Sequence, residues 1–330
     1  MTAILITGGA GFVGLNLTEA LLARGEHVVV LGHEAALPDP APAIFAKLPG
    51  RLTVLQGDVT DPAVLRDAFA RQRVAAVFPL AAITAGPARE AAEPGRVLDV
   101  NLKAMIATLQ AARDAGTVRR VVLPSSAAVY GESAYRHATL DEETTPPIPI
   151  SLYGVTKYAV ERAGLRLAGL WGLDAVAARI GAAFGPWERD TGLRDTLSVH
   201  LAIATAARRG ESILLPPPPL PAYDWIYGRD LAAGLLALLD AKDPPHRVVN
   251  IASGRDWAPE YGNCLTALQT VFPAFRFRHA EAGETPSVPW NETRPRGVLD
   301  LTRAAAFGWK PRFTPSEAAA DYAAWLRDTA

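Results

Sequence analysis

The first sixteen residues constrain this chain more than any other stretch. A short apolar run, Ala3-Ile4-Leu5-Ile6, leads into Thr7-Gly8-Gly9-Ala10-Gly11-Phe12-Val13-Gly14 and then into a helical pattern. A strand, a glycine-rich turn and a helix N-terminus let bare backbone approach a pyrophosphate, aiming unpaired N–H groups and the positive end of the helix dipole at it. Gly8, Gly11 and Gly14 recur every third residue, which serves the tight turn, the close approach and the packing of helix on strand. A glycine cluster alone is more often an ordinary turn. Here a strand precedes it, a helix follows, and a second strand, His27 to Leu31, comes within about thirty residues. The pattern predicts a phosphate cradle for a dinucleotide.

The same rhythm then repeats. From Asn16 to Arg24 apolar residues recur at helical spacing and Gly25 supplies a stop, while Val28-Val29-Val30-Leu31 reads as a parallel strand buried on both faces. Leu52 to Leu55 predicts a strand ending in Gln56-Gly57-Asp58-Val59, Asp61 to Gln72 a helix, and Ala75 to Leu80 a further strand. Arg96 to Ala115 predicts a long helix stopped by Gly116, and Arg120 to Leu123 the next strand. Strands alternating with helices of this length imply an α/β fold with a doubly wound parallel sheet, its ligands at the carboxyl ends of the strands.

After a helix from Tyr153 to Leu170 and a strand from Ala175 to Ile180, prolines and aromatics become frequent: Pro186-Trp187, Pro216 to Pro219, Trp225, Trp257, Pro289-Trp290 and Trp309. Helical patterns return at Thr196 to Arg209, Asp230 to Asp240, Tyr261 to Phe272 and Pro315 to Leu326. The expected division is a dinucleotide-binding domain over 1–178 and a smaller, irregular substrate-binding domain over 179–330, some of whose segments return to the first.

The totals exclude several classes of function. With a net charge of -1 and a pI near 6.6, the chain has no field to attract nucleic acid or an acidic membrane. No apolar run reaches the about eighteen residues of a membrane span. The single cysteine, Cys264, forms no internal disulfide, and an N-terminus that enters a strand at once has no signal pattern, so a cytoplasmic location is expected. The six histidines lack ligand spacing, so no metal is expected.

The strongest catalytic constellation is Ser125-Ser126 at a strand end, followed by Tyr153-Gly154-Val155-Thr156-Lys157. Residues four apart share a helix face, so Tyr153 and Lys157 project into the same space. A tyrosine hydroxyl with a pKa of about 10 is a poor base at neutral pH, and a nearby ammonium would stabilise its phenolate. Tyr153 would then shuttle a proton, Ser126 would hydrogen-bond the reacting oxygen, and Lys157 would also hold ribose hydroxyls.

With these residues in view, the chain resembles the NAD-dependent epimerase/dehydratase family of extended short-chain dehydrogenase/reductases over nearly its full length. The matching pieces are Thr7 to Gly14, Gly57-Asp58-Val59, Leu80-Ala81-Ala82, Asn101, Ser125 to Gly131, Tyr153 to Lys157 with Glu161, Phe184-Gly185-Pro186 and Gly308-Trp309-Lys310-Pro311. The resemblance implies a Rossmann domain with Ser126, Tyr153 and Lys157 catalytic. Its cofactor contacts would be Gly8, Gly11, Phe12, Val13, Gly14, Asp58, Val59, Leu80, Ala81, Ala82 and Asn101, together with Tyr153 and Lys157. It also implies a homodimer through the helices near 96–115 and 153–170.

The departures narrow the function. Where the family usually has an acid at the end of the second strand, this chain has Gly32-His33, with Glu34 beyond, so the cofactor is left as NAD or NADP, NAD favoured, with His33 beside its ribose. The Asp-Glu pair of the dehydratases is replaced by Ala127-Ala128, and elimination loses its acid and base. Ala182 and Tyr223 replace an asparagine and an arginine that lie near a nucleotide sugar's diphosphate in the family. Arg189, Arg194, Arg294 and Arg296 cluster in segments expected to cover the site, and a guanidinium matches a carboxylate through two parallel hydrogen bonds. The expected substrate contacts are therefore Ser126, Arg189, Arg194, Tyr223 and Arg294; Trp187, Trp225 and Trp290 read by default as core aromatics, with an apolar wall of the pocket as the alternative. The reading that follows is an NAD(P)-dependent oxidoreductase of sugar metabolism, moving a hydride between nicotinamide and a secondary alcohol of a small sugar acid or polyol acid. A nucleotide-sugar epimerase with the same Ser/Tyr/Lys site is the first alternative. A cofactor-sensing regulator without turnover is the second, and the intact Tyr-Lys pair speaks against it.

Overall fold

The computed structural model describes residues 2–288 and 294–329. The expected pocket wall Trp290 lies outside the described residues.

The first half runs β1 (Ala3–Thr7), α1 (Phe12–Ala23), β2 (His27–Gly32), α2 (Ala41–Phe45), β3 (Arg51–Gln56), α3 (Pro62–Gln72) and β4 (Val74–Pro79). It continues with α4 (Pro87–Ala92), α5 (Pro94–Leu98), a π-helical turn (Asp99–Lys103), α6 (Ala104–Ala115), β5 (Arg120–Ser126), β6 (Thr139–Leu140), α7 (Leu152–Trp171) and β7 (Ala175–Ile180). The rest comprises β8 (Ala182–Phe184), α8 (Val199–Arg209), β9 (Ser212–Leu215), β10 (Trp225–Tyr227), α9 (Gly228–Asp240) and β11 (Val248–Ile251). The chain closes with α10 (Tyr261–Val271), β12 (Arg276–His279), β13 (Val298–Leu299), α11 (Thr302–Ala306) and α12 (Pro315–Asp328).

Seven parallel strands form one sheet in the order β3-β2-β1-β4-β5-β7-β11. The order reverses at β1/β4, the crevice where doubly wound sheets bind ligands. Alternate residues of each strand feed opposite cores. Ile4, Ile6, Val28 and Val30 pack under α1 and α9 through Leu15, Leu21, Leu231 and Leu235. Leu5, Val29 and Val77 pack under α3, α6 and α7 through Leu65, Leu109 and Val160. Both faces being covered explains the continuous apolar runs of the central strands.

Two segments from beyond residue 179 lie in these layers: α9 packs on one face, and β11 pairs with β7 at the sheet edge. A separate core gathers Phe184, Ile203, Trp257, Leu265 and Tyr322. Short parallel pairs, β8 with β10, β9 with β12 and β6 with β13, were hidden in the sequence because strands of two to four residues carry too little periodicity to register. The helix expected from Thr196 begins at Val199, because Ser198 caps it by accepting from the Leu201 N–H. The long helix expected over 96–115 is widened by the π turn at Asn101. There the buried side chain accepts from Ile83 N at 2.7 Å and donates to Ile83 O at 2.9 Å and Thr156 Oγ1 at 3.1 Å. Among the described residues no helix is long and apolar enough to cross a membrane.

What fixes α7 against the sheet is a buried ion pair. Glu161 of α7 receives two hydrogen bonds of 2.9 Å from the guanidinium of Arg179 on β7, and Ser125 of β5 donates to the same carboxylate at 3.1 Å. Arg179 also lies 4.8 Å over the Tyr130 ring, whose hydroxyl donates to Asn250 of β11 at 2.9 Å. Removing one partner strands the other charge in the core. Arg179→Met is expected to cost about 3–5 kcal/mol in urea unfolding, and adding Glu161→Leu to recover most of the loss.

Candidate active site

A cleft of about 680 Å³ opens at the carboxyl ends of β1, β2, β4, β5 and β7. Its floor at one end is the turn Gly8 to Gly14. Gly8 has φ +65°, and a Cβ there would stand 2.7 Å from Ala81 Cα; one on Gly14 would stand 2.6 Å from Gly9 Cα. The turn works only without side chains at these points. No side chain caps the N-terminus of α1, so its first N–H groups are left for a ligand. A bare, uncapped helix start in a cleft fits the diphosphate of a dinucleotide.

The predicted residues Gly8, Gly11, Phe12, Val13, Gly14, His33, Val59, Leu80, Ala81 and Ala82 line this cleft, as do Ser126, Tyr153, Lys157, Arg189, Arg194 and Tyr223. Three do not. Asp58 accepts from Thr60 N and Oγ1 at 2.8 and 2.7 Å, and these donors, with His33 and Arg96, hold its carboxyl below the usual range against the effect of burial. Asn101 is buried behind the wall, on Ile83 and Thr156. Arg294 lies 3.9 Å over the Tyr135 ring and 3.5 Å from Glu132, an exposed ion pair away from the cleft. Two of the tryptophans follow the core reading. Trp187 is core, its Nε1 donating to Glu19 at 2.7 Å, and Trp225 packs behind Tyr223 at 4.7 Å.

Deep in the cleft, β5 ends in Ser126, whose hydroxyl accepts from the Ala128 N–H at 3.1 Å. Ser126, Thr84 and Tyr153 all line this part of the cleft. Burial pushes the Tyr153 hydroxyl above its ordinary pKa, while Ser126, Arg194 and Thr84 pull it down. Lys157 is buried one turn along, its Nζ 5.6 Å from the Tyr153 ring and donating to Pro124 O at 3.0 Å. With no carboxylate paired with it among the described residues, burial lowers its ammonium to about 8.

The strap 189–196 crosses the cleft. Arg189 donates to Ala10 O of the glycine turn at 2.9 Å, so it stands at the phosphate end of the cleft. Arg194 stands at the tyrosine end: Nη1 binds the buried Glu188 at 2.8 Å, Nε binds Thr196 O at 3.0 Å and Nη2 reaches Ala183 O at 3.5 Å. Sequence reasoning places both on the substrate and misses Thr84, Glu90 and Arg96, which also line the cleft. Thr84 closely follows the Leu80-Ala81-Ala82 element and was within reach; Glu90 and Arg96 sit on helices whose orientation no periodicity gives.

Residues 4–252 match the profile of the NAD dependent epimerase/dehydratase family. A UDP-glucose 4-epimerase from Streptomyces lividans is 30% identical over 266 residues, 77% of each chain. A D-erythronate dehydrogenase from Cupriavidus necator is 39% identical over 159 residues, 47% of each chain. The structure of the Thermus thermophilus UDP-glucose 4-epimerase in complex with NAD superposes over 100% of both chains, with a TM-score of 0.79 at 25% identity. If the glycine turn is the cradle, Gly8→Ala forces a side chain into Ala81 and a left-handed backbone at once. Calorimetric titration should show dinucleotide affinity falling at least about tenfold.

Proposed function

Because the chain belongs to the NAD dependent epimerase/dehydratase family and is an enzyme of the extended short-chain dehydrogenase/reductase type, we propose that it oxidises a secondary alcohol of a small sugar acid or polyol acid, with NAD as cofactor. One observation carries the substrate class. Arg194 faces Tyr153, and its bonds to Glu188, Thr196 and Ala183 leave one N–H on each Nη without a protein acceptor among the described residues. Those two N–H groups are left to meet a carboxylate. The absence of a diphosphate grip at Ala182 and Tyr223 agrees, and so does the likeness to a D-erythronate dehydrogenase.

NAD held on the glycine turn supplies the hydride acceptor. The chain does the rest. Arg194 holds the substrate carboxylate, anchored from behind by Glu188. Ser126 and Thr84 hold the carbinol oxygen against the Tyr153 hydroxyl, and Tyr153, as phenolate, takes its proton. Lys157, charged below about pH 8, stabilises that phenolate through the field of its ammonium. Ala127 and Ala128 offer no second acid or base, so proton transfer stays at one oxygen.

A second reading, a nucleotide-sugar epimerase, is favoured by the 30% identity to the Streptomyces lividans enzyme over three quarters of the chain. The two separate on one assay. With NAD and a panel of free sugar acids, reduced nicotinamide should accumulate. Accumulation with none of them, together with interconversion of a nucleotide sugar, overturns the proposal. The chain is also proposed to act in the cytoplasm as a homodimer through α6 and α7, with the exposed Val155 and Leu170 of α7 covered by the partner.

Tyr153→Phe should lose turnover by about 1,000-fold with NAD affinity intact. Arg194→Lys keeps a cation beside Glu188 but loses the planar fork, so KM for the acid should rise about tenfold, more than kcat falls. Because the Lys157 ammonium deprotonates as pH rises through about 8, kcat/KM for oxidation should fall above that pH in the wild type, and Lys157→Met should lack this limb.

A further inference from the structure

The helix that carries Tyr153 and Lys157 begins in the cleft, and its first turn is held from outside its own chain segment. Ser151 satisfies two N–H groups locally, its Oγ accepting from Gly154 at 3.0 Å and its carbonyl from Val155 at 2.9 Å. The other two belong to Leu152 and Tyr153 itself. Both donate to one oxygen of Glu90, at 2.7 and 3.3 Å, across 62 and 63 residues of sequence. Glu90 sits on α4 and lines the cleft.

We propose that Glu90 is a positioning residue for Tyr153: its carboxylate anchors the first turn of α7 and sets the charge at that helix end. The inference rests on the reading of Tyr153 as proton shuttle. It differs from ordinary capping because the anchor comes from a different element, one that also holds the strap. Next to Glu90, Arg89 binds Asp195 of the strap through Nε and Nη2 at 2.8–3.1 Å and Gly192 O at 2.7 Å. Asp195 accepts from Gly86 N at 2.8 Å, and Thr84 pairs with the strap backbone through Leu193 O and Asp195 N. The strap carrying Arg194 and the helix carrying Tyr153 therefore meet on α4.

The electrostatic consequence has a definite sign. A helix N-terminus is positive and favours a phenolate near it; a carboxylate on the same N–H groups offsets that field. Other charges around Tyr153 are Lys157 on its own helix and Arg194 from the strap, with the hydroxyls of Ser126 and Thr84. Those around Glu90 are Arg89, Glu93 and Asp195, which pair with one another. Neutralising Glu90 should thus make Tyr153 more acidic.

Tyrosinate absorbance of the enzyme–NAD complex, titrated against the Tyr153→Phe complex, reads the Tyr153 ionisation without any substrate. Glu90→Gln keeps an oxygen for the two N–H groups and removes the charge; the Tyr153 titration should move down by about 0.5 pH unit. Glu90→Ala should move it similarly and lose about tenfold in kcat with the substrate in use, most of which Glu90→Gln recovers. A titration unmoved in Glu90→Gln, or full kcat in Glu90→Ala, overturns the inference. If instead the Tyr153→Phe difference contains no titrating phenol, it is the reading of Tyr153 that fails.

Discussion

The catalytic geometry depends on the buried pair between Glu161 and Arg179. Tyr153 and Lys157 lie on α7 and Ser126 ends β5, so the three meet only if that helix keeps one rotation and one height against the sheet. Apolar packing is non-directional and would tolerate a slide. Two parallel 2.9 Å bonds from Arg179, with Ser125 donating to the same carboxylate, would not. Burial alone would disfavour the guanidinium's charge, but Glu161 and Tyr130 around it keep it protonated. Such a pair contributes less to stability than to uniqueness of register, in keeping with its place directly behind the reactive groups.

In front of that anchor the cleft is divided electrostatically. Its phosphate end offers backbone N–H groups and Arg189; its reaction end offers Arg194, Lys157 and hydroxyls. Two of the acids nearby are occupied. Glu188 is committed to Arg194 and Ser198, and Asp224 accepts from Ser253, Gly254 and Leu299 while burial pushes it up to about 6. A cleft with cations at both ends suits an anionic ligand. The strap supplies cations at both ends.

Much of this was legible in the sequence because it rests on local rules. The glycine turn, the continuous apolar strands and the four-residue spacing of Tyr153 and Lys157 each follow from backbone geometry. Contacts between distant segments were not legible. Arg189 lines the cleft but donates to Ala10 of the glycine turn; Trp187 is core, the default for such an aromatic; Arg294 pairs with Glu132 and does not line the cleft. Glu90 gives no signal, since nothing in Pro87 to Ala92 shows that a carboxylate there meets a helix sixty residues on. The π turn at Asn101 is hidden for the same reason: its cause is Ile83 and Thr156, not its neighbours.

The central claim is that hydride leaves the substrate for good. It is tested most directly with a four-carbon sugar acid such as erythronate, deuterated at its carbinol carbons, and unlabelled NAD, followed by mass analysis of the cofactor released. The account predicts one deuterium on each molecule of reduced nicotinamide in solution. Deuterium that stays in the sugar, with no reduced cofactor released, and a nucleotide sugar that is inverted under the same conditions, would contradict it.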